Sequence, residues 1–139
     1  MKTIDWILRL ALAGVFLAAA VVKIADPATF HAALLTYRML PEALSPAVAL
    51  WLPWFELCTG VAILWPHHRR AALWVVIALN VVFLAAIAQA AIRELDIVCG
   101  CFGRPATVRG AGYIPYLARD LAFLAVAAWL LRRERMPRS

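Results

Sequence analysis

Four long apolar runs organise this chain, at residues 4–25, 47–65, 71–92 and 114–131. Each holds about 18–22 residues, enough for a helix rising 1.5 Å per residue to cross a hydrocarbon core of ~30 Å. Backbone in lipid has no water to bond with, so runs this long must be helical. Between the first two runs the pattern changes. Asp26-Pro27 reads as an N-cap followed by proline at the first helical position. Phe30, Leu34, Tyr37 and Leu40 then recur at helical spacing until Pro41 stops them. The pattern predicts an all-α integral membrane four-helix bundle, a single membrane domain over 1–139. A short interfacial helix lies in its first outer loop. Met1-Lys2, the apolar run and Ala18-Ala19-Ala20 have the outline of a secretory leader. The length of the run, its internal Arg9 and its continuation through Val21-Val22 favour an uncleaved first helix.

Composition strengthens the membrane reading. Of 139 residues, 65% are hydrophobic and 16% charged, with a mean hydropathy of +0.83. Soluble domains are about half apolar and a quarter charged, so a chain this size cannot hide its apolar side chains from water. That excludes a disordered protein and a disulfide-stapled secreted mini-domain, and argues against a soluble enzyme. Fourteen Lys+Arg against eight Asp+Glu give +6. The basic residues gather at the ends of the runs, which suits lipid headgroups and topology, not nucleic acid. One side holds Lys2, Arg69, Arg70, Arg132, Arg133, Arg135 and Arg138, and the other Arg38, Arg93, Arg104 and Arg109. The excess predicts both termini in the cytoplasm. His31, His67 and His68 lack a third ligand at helical spacing and read as solvated or interfacial, not as a metal site.

Candidate chemistry lies in the loop at 93–113, where Cys99-Gly100-Cys101-Phe102-Gly103-Arg104 holds two of the three cysteines. The topology places them outside, where disulfides persist. Gly100 removes the steric bar to the backbone of a small disulfide ring, and Gly103 allows a further bend. So tight a ring is strained, and strained exposed disulfides are the reducible ones. Arg104 and Arg109 favour thiolate over thiol. Phe102 and Ile97 offer apolar contact to a partner or the membrane surface. Three readings stay open: a redox-active dithiol, a Cu(I) site, and an inert disulfide or idle thiols. The third is weakly motivated, because so short a loop gains little from cross-linking.

Ionisable residues within a span are costly and therefore candidates for function. Lys23, Glu56, Arg119 and Asp120 all fall in the half of the bundle nearest the cysteines, and a buried network is expected in which Lys23 or Arg119 neutralises Glu56 and Asp120. Such a network either locks helices together or forms a proton path or polar pocket beneath the dithiol. Asn80 and Gln89 are expected to bond between helices, Gly14 and Gly60 to allow close helix contact. Cys58 reads as a small buried hydrophobe. Trp51, Trp54, Trp65 and Tyr116 read as interface anchors.

The whole chain resembles the methylamine utilisation MauE family, within the wider DoxX-like group of four-helix membrane proteins. Cys99-Gly100-Cys101-Phe102-Gly103 is similar to the family's C-G-C-F-G signature. Lys23, Asp26-Pro27, Tyr37, Leu40-Pro41, Pro53, Glu56 and Gly60 support it. The family usually places Asp directly before the first cysteine; Val98 stands there in this chain, and the nearest acid is Asp96. The resemblance implies a bacterial inner-membrane protein that exchanges electrons through Cys99 and Cys101 with a periplasmic thioredoxin-like partner. It links that chemistry to maturing a disulfide-rich client, the methylamine dehydrogenase small subunit. The alternatives are a non-catalytic assembly scaffold and a Cu(I)-binding membrane protein. A quinone as final electron acceptor is an analogy with other four-helix disulfide oxidases.

Overall fold

The computed structural model describes residues 2–99 and 106–135, apart from the side chains of Cys99 and Ala106. Four long helices, α1 (Lys2–Ala25), α3 (Ser45–Leu64), α4 (Arg69–Ile92) and α5 (Tyr113–Arg135), carry the chain back and forth. All four are long and apolar enough to cross a membrane. Their ends run up to four residues past the apolar runs. Apolarity marks only what lies in hydrocarbon, and a helix continues through flanking charges; Arg132, Arg133 and Arg135 in the last turn of α5 suit its dipole.

The short helix α2 (Pro27–Thr36) covers one end of the bundle. Asp26 caps it, accepting from Thr29 N at 3.1 Å and from the Thr29 hydroxyl at 2.6 Å. These bonds hold the Asp26 carboxyl below the usual carboxylate range, so the cap is fully present at neutral pH and is lost as pH falls through that lowered range. The helix ends at Thr36 and not at Pro41, because Arg38 takes a left-handed backbone, with φ of 50°. Glu94, with φ of 53°, turns the chain in the same way after α4.

A two-stranded hairpin interrupts the helical pattern. β1 (Ile97–Cys99) and β2 (Ala106–Val108) pair antiparallel, with Ile97 opposite Val108, Val98 opposite Thr107 and Cys99 opposite Ala106. The sequence pattern predicts only a loop here. Three-residue strands are too short for alternation to show, and burial of Ile97 and Val108 against Ile87, Ala90 and Tyr113 supplies what propensity does not.

The bundle core is built from Leu12, Ala13 and Phe16 of α1, Ile63 of α3, Leu73 and Val76 of α4, and Ala127 and Leu130 of α5. Ile7, Leu10, Leu50, Phe55, Val82 and Leu121 face outward, as a lipid solvent permits. Packing is strongest between α1 and α3 and between α4 and α5. Gly60 sets the first of these: a Cβ there would lie 3.0 Å from Leu17 Cγ and 3.4 Å from the Ala13 carbonyl. Gly14 has open space around it and makes no such approach, contrary to the sequence expectation. Cys58 likewise departs from expectation, lying exposed on the outside of α3.

Gly60→Leu is expected to force α1 from α3 and to destabilise the bundle by about 1–3 kcal/mol, the usual effect of overpacking. Gly14→Ala should leave stability undiminished. Thermal unfolding of both variants in the same detergent checks the contrast.

Candidate functional site

Two charged pairs sit inside the half of the bundle covered by α2. Lys23, near the end of α1, donates to both carboxylate oxygens of Glu56 on α3, at 2.8 and 2.9 Å. Each side chain is 3% exposed, so the pair is buried within the bundle. The ammonium also lies 4.9 Å from the Phe30 ring centre and 5.4 Å from that of Phe83, which adds cation–π attraction. On α5, Arg119 bonds its neighbour Asp120, with the nearest contact at 2.9 Å. Asp120 Oδ1 takes these contacts, while Oδ2 is buried without a hydrogen-bond partner.

The two pairs share a cavity of about 320 Å³. Its walls are mainly apolar, with Phe16, Phe30, Tyr37, Phe83 and Phe123 among them. Asn80 also lines it. The Asn80 amide donates at 3.1 Å to Val76 O of its own helix and not across helices as the sequence suggested. Gln89 does reach another element, donating at 2.9 Å to the Tyr37 carbonyl at the end of α2.

Above the cavity, α2 holds the hairpin. The Thr36 hydroxyl accepts from Val98 N at 3.1 Å. The Tyr113 hydroxyl donates to the Leu95 carbonyl at the hairpin's base. The exposed Arg109 pairs with Asp96 at 2.6 Å, which keeps the guanidinium protonated even above its usual high range. The Arg109 charge is thus already engaged by Asp96. Residues 100–105, with Gly100, Cys101, Phe102, Gly103 and Arg104, lie outside the described residues, as does the Cys99 side chain. The Cys99 backbone ends β1 opposite Ala106.

A third charged cluster lies at the far end of the bundle, where the sequence pattern does not mark it. Arg9 on α1 and Arg69 on α4 are both buried and converge on Glu134 of α5. Arg69 Nε also donates at 3.2 Å to Ile63 O, satisfying a carbonyl at the end of α3, and the Arg69 guanidinium lies 5.6 Å from the Trp6 ring centre. Arg9 gave a signal, being an ionisable residue within a span. Arg69 and Glu134 did not, since both stand among charges that topology already explains.

Fold and site together define a multi-pass membrane protein, a helical bundle with buried charge pairs and a cysteine-bearing hairpin at one end. The methylamine utilisation protein MauE family model matches residues 1–133, and the chain belongs to that family. It is 33% identical over 129 residues to a methylamine utilization protein MauE of Methylophilus methylotrophus, covering 92% of this chain and 67% of that protein. Proteins of the same name match from Paracoccus denitrificans, 37% identical over 70% of this chain and 53% of the relative, and from Paracoccus versutus, 38% identical over 71% and 54%. The chain thus spans about two thirds of the first relative's length and about half of the other two. No solved structure matches it.

A buried ion pair that loses one partner leaves an uncompensated charge, at a cost of about 3–5 kcal/mol. Lys23→Met and Glu56→Leu singly are expected to destabilise by that order. The double variant should recover most of the loss, and a double-mutant cycle from denaturant unfolding in detergent measures the coupling.

Proposed function

We propose that this protein is a thiol–disulfide redox protein of the bacterial inner membrane, serving methylamine utilisation, with Cys99 and Cys101 as its exchanging pair. The observation that carries this reading is the placement of the hairpin. Its stem bears Cys99 and leads directly into Cys101, and it is tied to α2 and Tyr113 at the end of the bundle opposite Arg69, Arg70, Arg132, Arg133 and Arg135. The positive-inside rule puts that basic end in the cytoplasm, with both termini, and the cysteines on the oxidising periplasmic side.

The exchange needs no other protein group to carry electrons. A thiolate of a periplasmic thioredoxin-like partner attacks one sulfur of the Cys99–Cys101 disulfide and forms a mixed disulfide, releasing the other sulfur as thiolate. The partner's second thiolate then displaces the remaining sulfur. The partner ends as a disulfide and the Cys99/Cys101 pair as a dithiol, with two electrons passed between them; the reverse sequence runs the couple backwards. The disulfide-rich small subunit of methylamine dehydrogenase is the proposed client. Gly100, Phe102, Gly103 and Arg104 would shape and dock this segment.

Cys99→Ser and Cys101→Ser together are expected to abolish client maturation, and one of the single variants to trap a covalent partner, identified by mass spectrometry of the non-reduced complex. Full maturation in the double variant would instead make the protein a scaffold. For orientation, a membrane-impermeant maleimide should label the reduced cysteines of intact spheroplasts; labelling only after lysis would reverse the topology.

A further inference from the structure

We propose that the cavity beneath α2 binds a lipid-soluble quinone and its quinol, ring inward, with Asp120 Oδ2 accepting a hydrogen bond from a quinol hydroxyl. Three observations lead there. Asp120 is 3% exposed and its Oδ2 has no partner, although it borders the cavity. A buried acceptor left unpaired is unfavourable, and a hydroxyl donor entering the cavity would satisfy it. The ionisable groups bordering the cavity cancel in pairs, Lys23 with Glu56 and Arg119 with Asp120, which suits a neutral head and not an anionic phospholipid. The aromatic walls, Phe30 and Phe83 among them, suit a flat ring.

Size and access agree. A volume of 320 Å³ falls in the ~300–1,000 Å³ range of small-molecule pockets, room for a ring and the start of a tail. Met39, Leu40 and Val82 line the cavity and are also exposed on the bundle surface, so a tail can leave toward lipid. The redox purpose rests on the thiol–disulfide reading. Closing the Cys99–Cys101 disulfide removes two electrons and two protons from two thiols, and a quinone that takes up both becomes the quinol. The binding site itself stands on the cavity alone.

The test uses the full chain in phosphatidylcholine nanodiscs, a photoreactive azidoquinone, and decylubiquinone or decylubiquinol as competitor. Saturable labelling is expected in the α4 segment around Phe83 and near Phe123 of α5. Ala86→Phe, which fills the cavity, should remove it while helicity by circular dichroism is retained. Asp120→Asn keeps an oxygen for Arg119 and turns the free acceptor into an amide donor. It should weaken competition by quinol about tenfold, as loss of a hydrogen bond to a charged group does, and leave the quinone's no weaker. Labelling spread over the lipid-facing helices, labelling unaffected by either competitor, or an Asp120→Asn variant with unaltered preference would overturn the proposal. The two readings fail separately. A cavity that takes no label while maturation depends on Cys99 and Cys101 removes the quinone site alone. A labelled cavity in a Cys99→Ser/Cys101→Ser variant that matures its client normally removes the thiol chemistry alone.

Discussion

Lipid gives a charged side chain nothing to bond with, so each ion inside this bundle must bring its own counter-ion. Lys23 and Glu56 meet that demand across two helices: α1 and α3 cannot slide or rotate past each other without separating two buried charges. The same pair of helices packs tightly at Gly60, four residues after Glu56, so shape and charge favour one register. At the far end Glu134 joins α1 to α4 and α5 through Arg9 and Arg69. With no hydrophobic drive to bring helices together in lipid, such ties and close packing carry the association. Arg119 and Asp120, adjacent on one helix, fix nothing between helices by their mutual bond.

The cap on the bundle follows a different logic. α2 and the hairpin lie where backbone groups still need partners, and side chains supply them: Thr36 for Val98, Gln89 for Tyr37, Tyr113 for Leu95. Beneath the hairpin, Ile97 and Val108 bury themselves against α4 and α5. A short two-stranded ribbon is marginal alone, and this one is held by its neighbours. The cysteine-bearing segment is therefore mounted on packed secondary structure at both of its ends.

What could be read from the chain in advance divides along the same line. The four spans follow from apolar length alone, and α2 from the Asp26-Pro27 cap. Their ends were less legible, because charge does not stop a helix and because Arg38 leaves helical geometry without a glycine to announce it. Lys23, Glu56, Arg119 and Asp120 drew notice as ions in spans, yet their partition into two pairs depends on three-dimensional neighbours. The Arg9–Glu134 contact joins residues 125 positions apart. No local pattern encodes it, and the tail's other arginines disguise Glu134 as part of an anchor. The hairpin was invisible because burial, not alternation, makes it.

One element connects the two candidate sites. α2 lines the cavity with Phe30, Ala33 and Leu34, and its last residue, Thr36, holds β1. Its start is fixed by Asp26, three residues from Lys23, and its end by Gln89 of α4. A ligand in the cavity would press on the same ten-residue helix that bonds the strand ending at Cys99. Because packed interiors transmit displacement and do not absorb it, occupancy of the cavity would be felt at β1 through α2. This is a physical connection, and it becomes allosteric coupling only where the ligand favours one of two positions of that helix.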